Sequence, residues 1–343
     1  MRAETTEDIF ELLDGYITSA AVGAAMELGL FWLLTEKPRS AMEVAQSLKV
    51  PLNRCQHWLK ILCKLGLLEE SGKGYIPSST TRETILDVYS QDVWAYLAGE
   101  DRYKFPIVRD LALNISKPES PWELQDLTPP DYYKRLLEDP DEAERFTRAL
   151  YEIHIPYAEQ LANMLNTQGV KRLLDLGGGS GVVSFALLRK QPEMTSVVVD
   201  VEHVCRAGRK IAAENALEDR ITYLAADYLQ DELPSGFDLV TFCDAGPYRE
   251  DLFRKIHGVL NPDGRLVIVE QFAPEATNAA PSHLLWSFMG SLETPLESIR
   301  FMTTDLVQTR LEQAGFRDIA CTPVPSKEDL RWNNDWIAVE ARR

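Results

Sequence analysis

The chain has 343 residues, 45% hydrophobic and 26% charged, an ordinary globular mixture with room for one large domain and a smaller one. Acidic residues outnumber basic ones, 53 to 36, and the formal charge of −17 argues against a surface that binds nucleic acid over its whole extent. Five scattered cysteines, Cys55, Cys63, Cys205, Cys243 and Cys321, show no Cys-x-x-Cys spacing, which argues against a disulfide framework or a structural zinc site and suits a reducing compartment.

The start of the chain is acidic, with Glu4, Glu7, Asp8, Glu11 and Asp14, the wrong charge for a signal peptide. The most apolar stretch, 20–34, contains Glu27 and is too short to span a bilayer. A cytoplasmic protein with no membrane partner is expected. Residues 7–35 carry apolar side chains at helical spacing (Ile9, Phe10, Leu12, Leu13, Ile17, Ala20, Ala24, Leu28), which predicts a helix. Ser40 with Glu43 three residues on forms a capping box for a short helix ending near Leu48. Pro51 opens another through Leu65, and Gly66 stops it. A short strand, the turn Ser71-Gly72-Lys73-Gly74 and a second strand over 75–77 follow. Helix, turn, helix, hairpin is the order of a winged helix. Seven bases against three acids between Arg39 and Arg82 raise the rival reading of a DNA-binding regulator. The second helix, with Leu52, Trp58, Leu59, Ile61, Leu62 and Leu65, is too apolar to be a free DNA-facing surface, so no nucleic acid partner is expected.

Further helices are predicted over 88–115 and 131–168, separated by a loop in which Pro129 and Pro130 bar helix. From Lys171 the rhythm changes. Apolar runs at 172–176, 196–200, 221–225, 237–243 and 265–271 alternate with helical patterns at 181–190, 203–216 and 248–260. That alternation predicts an α/β fold with a parallel sheet covered by helices on both faces. Two last strands, near 317–323 and 335–341, suit an antiparallel edge.

The strongest motif is Leu173-Leu174-Asp175-Leu176-Gly177-Gly178-Gly179-Ser180-Gly181, a strand that runs into glycines and then a helix. Such a bend lets backbone approach a ligand and leaves helix N–H groups free. A dinucleotide fingerprint fails, because the third glycine position is Val182 or Ser184, and no Gly-Lys-Ser/Thr follows for a phosphate loop. The acid before the glycines, Asp175, would repel a pyrophosphate but suits a ligand with an amino group and a cationic centre, such as S-adenosylmethionine. Asp200 ends the second strand, where a carboxylate can accept from both ribose hydroxyls. Asp227, after the third strand, can accept from an adenine amino group, with Val201 and Tyr228 flanking the ring.

On these motifs, residues 171–271 resemble class I S-adenosylmethionine-dependent methyltransferases. With the winged-helix part, the whole chain resembles the small-molecule O-methyltransferases, a family of caffeate-type, polyketide-tailoring and hydroxyindole enzymes. Residues 174–181 match its first motif, Asp200 the ribose acid, Asp227-Tyr228 the adenine pair, and Asn261-Pro262-Asp263-Gly264-Arg265-Leu266 the turn before the fifth strand. The resemblance implies a Rossmann-like seven-stranded sheet in the order 3-2-1-4-5-7-6 and S-adenosyl-L-methionine as cofactor. It implies a homodimer intertwined through the N-terminal helices and a small, aromatic or conjugated metabolite as substrate. It implies a dimerisation domain over 1–115, connecting helices lining the substrate site over 116–168, and the cofactor domain over 169–343. Asp175, Gly177, Gly179, Asp200, Val201, Asp227, Tyr228 and Phe242 form the expected cofactor set.

One departure matters. After the fourth strand this family usually carries a His-Asp pair whose histidine is the general base; here the stretch reads Phe242-Cys243-Asp244-Ala245-Gly246-Pro247-Tyr248. Three routes stay open: another base, an acceptor that ionises unaided, or a carbon or nitrogen acceptor. A member that binds the cofactor without transferring methyl also stays open. Candidate catalytic residues are His154, His283 and Asp244, and candidate substrate contacts are Tyr248, Trp286 and Met289. No cluster with metal-ligand spacing is present in the sequence, and no metal is expected.

Overall fold

Caps and glycines decide where helices stop in this chain. The computed structural model describes residues 3–125, 132–272, 281–293, 302–325 and 336–343; the side chains of Tyr132, Pro281, Ser282, His283, Trp286 and Glu293 are outside that description. The chain divides into two compact units, Met1–Asp110 and Leu111–Arg343.

In the first unit, α1 (Thr6–Glu27) starts at Thr5, whose side chain is reciprocated by Asp8. The helix expected over 7–35 breaks at Gly29, which has φ +68 and turns the chain into the short helix Leu30–Leu33. A Cβ there would meet only the movable amide end of the Gln91 side chain, so it is the left-handed backbone that calls for glycine. The capping box of Ser40 and Glu43 opens α2 (Ala41–Ser47). Next, α3 (Leu52–Lys64) buries Cys55, Leu59 and Leu62, and Trp58 Nε1 donates to the Ala21 carbonyl at 2.9 Å. Strands β1 (Leu68–Ser71) and β2 (Gly74–Pro77) form the antiparallel hairpin. The unit closes with α4 (Gln91–Arg109). Phe31, Leu34, Val44, Leu59, Leu62 and Leu68 lie in its core. The apolar stretch weighed in the sequence was 20–34; the helix that forms instead is α1, which is by length and composition long and apolar enough to cross a bilayer. Its first half leaves Ile9, Phe10, Leu12, Leu13, Tyr16 and Ile17 exposed.

In the second unit, the helix expected over 131–168 is two: α5 (Tyr132–Glu138) and α6 (Pro140–Met164). Asp139 separates them by accepting from the Asp141 and Glu142 N–H groups, and Pro140 takes the first helical position, where no donor is needed. Seven strands follow: β3 (Arg172–Leu176), β4 (Thr195–Asp200), β5 (Ile221–Ala225), β6 (Phe237–Cys243), β7 (Leu260–Glu270), β8 (Arg317–Pro323) and β9 (Ile337–Arg342). They lie in the order β5-β4-β3-β6-β7-β9-β8, which counted within the sheet is 3-2-1-4-5-7-6, as expected. The first five are parallel, and β9 runs antiparallel to both β7 and β8. The fifth strand begins at Leu260, earlier than expected, because Leu260 pairs with Phe237 before the register shifts. The connecting helices are α7 (Val182–Lys190), α8 (Glu202–Glu214), α9 (Glu250–Val259), α10 (Pro281–Glu293) and α11 (Thr304–Gln313).

Alternate strand residues feed two apolar layers. Leu173, Val198, Leu239 and Val267 pack with Phe185 and Ile211, while Leu174, Val199, Val240 and Ile268 pack with Phe253 and Ile256. Both faces of the sheet are therefore covered, as parallel strands require. Chain order reverses between β3 and β6, so the crevice at their carboxyl ends is the place where such a sheet binds ligands.

Candidate active site

The bend after β3 is a run of left-handed backbone. Gly177, Gly179 and Gly181 have φ of +63, +57 and +84, a region that costs other residues about 1–2 kcal/mol. Gly177 N–H donates to the Val199 carbonyl at 2.8 Å, and a Cβ on Gly177 would meet the Ala245 Cβ at 2.7 Å. A Cβ on Gly179 would meet nothing within 4 Å, so this stretch of backbone faces open space. Tyr223 braces the bend from β5, donating to the Ser180 carbonyl at 2.6 Å.

Asp200 sits at the end of β4, across from the bend. Its Oδ2 accepts from Gly179 N–H at 2.9 Å and its Oδ1 from Val201 N–H at 2.8 Å. Burial pushes its carboxyl up to about 6, against the pull of those two donors. Val201, buried, opens α8. Asp227 follows β5; its Oδ1 accepts from Leu229 N–H at 2.8 Å. Tyr228 is tied across to the loop after β6, its hydroxyl donating to the Ala245 and Gly246 carbonyls at 2.8 and 2.6 Å. Its ring edge lies 3.5 Å from the Cβ position of Gly177. Asp200, Val201, Asp227 and Tyr228 thus gather at adjacent strand ends around the glycines.

Two members of the expected cofactor set also serve the fold, and one of them, Asp175, lines the hollow beneath the glycines as well. Asp175 is buried, and both carboxylate oxygens are taken at 2.7 Å, one by Ser184 Oγ and one by Thr241 Oγ1. It lies beneath the bend, where a Cβ on Gly178 would strike its carboxyl carbon at 2.6 Å. The acid therefore ties β3 to β6 and α7 and holds the glycines from below. Phe242 has no exposed surface; its ring packs edge-on between Tyr228 and Tyr248. Alternation along β6 turns it into the core, so it supports the wall of the crevice from behind.

The second half of the crevice is built by α6 and the ends of β6 and β7. Leu150, His154, Tyr157, Cys243 and Asp244 line the same hollow as Gly177, Gly178 and Gly179. A wider hollow beside Arg209, Glu218 and Thr222 contains none of the expected site residues. His154 is 9% exposed and packs edge-on against Tyr157 and Trp336, which stack on each other with centroids 5.0 Å apart. Burial lowers its pKa to about 4. His154 Nε2 lies 3.7 Å from Asp244 Oδ2, beyond direct hydrogen-bond length. Asp244 has φ +49, and its N–H donates to the Val269 carbonyl, which sets it beside Glu270. Both carboxyls are raised, by burial first and Asp244 then by Glu270, although the Asp244 side chain stays 42% exposed.

Tyr248, expected to meet substrate, is buried and donates its hydroxyl to Glu270 Oε2 at 2.5 Å. Met289 is half-buried on α10, a helix held by Ser120 Oγ donating to the Leu292 carbonyl at 2.8 Å. The side chains of His283 and Trp286 lie outside the described residues. Glu270, Tyr157 and Trp336 were not foreseen. Glu270 alone left a signal, a charge ending the buried run Val267-Ile268-Val269. Among the described residues, no group of three or more His, Cys, Asp or Glu gathers as a metal site.

Residues 127–297 match the O-methyltransferase domain family, and residues 10–82 match the O-methyltransferase dimerisation domain family. The chain belongs to the O-methyltransferases. It is 31% identical over 233 residues to 3-hydroxy-5-methyl-1-naphthoate 3-O-methyltransferase of Streptomyces sahachiroi, a match covering 67% of this chain and 65% of that enzyme. It is 25% identical over 313 residues, 90% of each chain, to the N,N-dimethyltransferase OxyT of Streptomyces rimosus. Among solved structures, the mitomycin 7-O-methyltransferase MmcR shares the fold with TM-score 0.80 at 21% identity, covering 98% of this chain and 97% of that one.

Proposed function

We propose that this O-methyltransferase moves a methyl group from S-adenosylmethionine to an oxygen of a small aromatic or conjugated metabolite, and that it does so as a homodimer. The observation that carries the reading is Asp200. Each of its carboxylate oxygens holds one backbone N–H and keeps acceptor capacity toward the crevice, at the distance from the glycine bend where a ribose diol would sit. The residues fit an adenosyl sulfonium: open space over Gly179, a carboxylate for the ribose, a second at Asp227 for the adenine amino group, and Val201 and Tyr228 for the ring faces. When bound there, the cofactor supplies a methyl group on a sulfonium, a leaving group that needs no acid assistance.

Positioning then does most of the catalytic work, since holding two reactants in line contributes ~7–11 kcal/mol. His154 is neutral at pH 7 and able to take the proton of an acceptor hydroxyl, and Asp244 faces the imidazolium that results. The pair reassembles, from α6 and the end of β6, a histidine and a carboxylate that the sequence lacks as neighbours. A nitrogen acceptor is the second reading. It is favoured by the absence of the family's usual histidine from the stretch 242–248, and by the similarity to OxyT.

The test is calorimetry with S-adenosylhomocysteine, followed by labelled-methyl transfer to a panel of hydroxylated and aminated aromatics. Binding of the thioether, with loss in D200A, is expected. A wild-type protein with no affinity for it overturns the proposal.

A further inference from the structure

The loop that carries Asp244 hangs between two fixed ends. Asp244 N–H donates to the Val269 carbonyl at 2.9 Å. Four residues on, Tyr248 is held through its hydroxyl by Glu270 and through its carbonyl by Arg310 Nη1 at 2.6 Å. Midway, the Ala245 and Gly246 carbonyls share the Tyr228 hydroxyl as donor, at 2.8 and 2.6 Å. Tyr228 is itself a firm base. Lys255 of α9 donates to its carbonyl at 2.9 Å and also to the Asp231 carbonyl. Asp227 and Asp231 close the same turn: Asp227 N–H donates to Asp231 Oδ2 at 2.8 Å, and Asp231 N–H to the Asp227 carbonyl at 2.7 Å. The Tyr228 ring meets Phe242 edge-on, and burial raises the pKa of its phenol, which therefore stays a donor. The side chain read above as flanking the adenine ring thus reaches, at its far end, the loop that holds Asp244 opposite His154.

We propose that Tyr228 is a positioning residue whose hydroxyl acts as a strut between the two halves of the crevice. An adenosyl group against the ring fixes the ring; the hydroxyl then fixes Ala245 and Gly246, and with them Asp244. Without that donor the loop is slack in its middle. Slack there alters the separation of Asp244 Oδ2 from His154 Nε2, 3.7 Å in this structure, and the wall that Ala245 sets against Gly177. The inference rests on the cofactor reading and on the His154–Asp244 pair above, and adds that occupancy of one half orders the other.

Hydrogen–deuterium exchange on the full chain, read by mass spectrometry with S-adenosylhomocysteine as the probe, tests it. In the wild type the compound is expected to slow amide exchange over both 226–231 and 244–249. Y228F keeps the ring and loses the hydroxyl. Its free form is expected to exchange about 3–10-fold faster over 244–249, and its affinity by calorimetry to stay within about threefold. The compound is expected still to protect 226–231 in Y228F and no longer to protect 244–249. In methyl transfer to the aromatic panel above, Y228F is expected to lower kcat about 3–10-fold, with KM for S-adenosylmethionine within about threefold. Protection of 244–249 that persists in Y228F means that the ligand itself holds the loop, and overturns the strut while leaving the cofactor reading intact. Unchanged kcat, or affinity and kcat falling by one common factor, overturns it as well. A wild type without affinity for S-adenosylhomocysteine overturns the cofactor reading and the strut together.

Discussion

Asp200 spends one lone pair of each oxygen on the protein and offers the others outward. Its carboxyl, raised from 3.8 to about 6 by burial, means that the unliganded fold gives up stability as pH rises through that interval. Ribose hydroxyls favour the ionised form, so binding pulls the pKa back down. Affinity for S-adenosylhomocysteine is therefore expected to be full above about pH 6.5 and to fall as pH drops through 6, approaching tenfold per unit. Calorimetry between pH 5 and 8 reads this directly, and a flat profile rules it out. D200N turns an N–H group toward a backbone donor and strands it, at about 1–3 kcal/mol, so roughly 10–100-fold weaker binding without pH dependence is expected. His154 behaves differently. With its pKa near 4, it stays neutral across that range, so its own titration leaves the rate unchanged above pH 5.5. H154Q is expected to lower kcat by about 10²–10³ while S-adenosylhomocysteine affinity stays within about twofold. An H154Q enzyme with unchanged turnover would assign proton removal to the substrate itself.

At the scale of elements, the glycine bend separates fold from ligand. G177A places a methyl group 2.7 Å from the Ala245 Cβ in left-handed backbone, so it is expected to lower the melting temperature clearly. G179A carries the same backbone cost, about 1–2 kcal/mol, but its methyl group enters open space. It is expected to melt closer to wild type and still to lose most cofactor affinity; equal melting temperatures in a thermal scan would contradict this. The bend, the strand order and the cap at Ser40 were legible in the sequence because each is a local pattern: glycine spacing, strand-helix alternation, Ser followed by Glu. What escaped depends on register. Glu270 becomes a neighbour of Asp244 only because β6 and β7 pair Cys243 with Val269. Ser184 and Thr241 look like ordinary helix and strand residues until both turn their hydroxyls to Asp175. The structural side of Asp175, which also lines the crevice, was hidden for the same reason. Its charge was visible in the sequence, whereas the two donors that occupy it come from 9 and 66 residues away.

At the scale of the whole molecule, the unexplained surface is the first half of α1. Phe10, Leu13 and Tyr16 are 58%, 65% and 58% exposed, and Tyr16 stacks on Phe105 of α4, itself 43% exposed, which extends the patch across two helices. An apolar stripe of this kind rarely stays open on a soluble monomer. Glu7, Asp8, Glu11 and Asp14 interleave with it, which suits a protein partner with a wetted rim better than a lipid interior, where each carboxylate would cost ~2.5–3.5 kcal/mol at the helix centre. The match of 10–82 to the O-methyltransferase dimerisation domain family points to a second copy of this chain as that partner. Light scattering coupled to gel filtration is expected to give twice the chain mass for the wild type. Replacing Phe10 and Leu13 together with glutamate is expected to give the single-chain mass, with S-adenosylhomocysteine affinity retained because every residue proposed to hold the adenosyl group lies within 111–343. A wild type that elutes as one chain and floats with lipid vesicles would instead make this helix a membrane anchor.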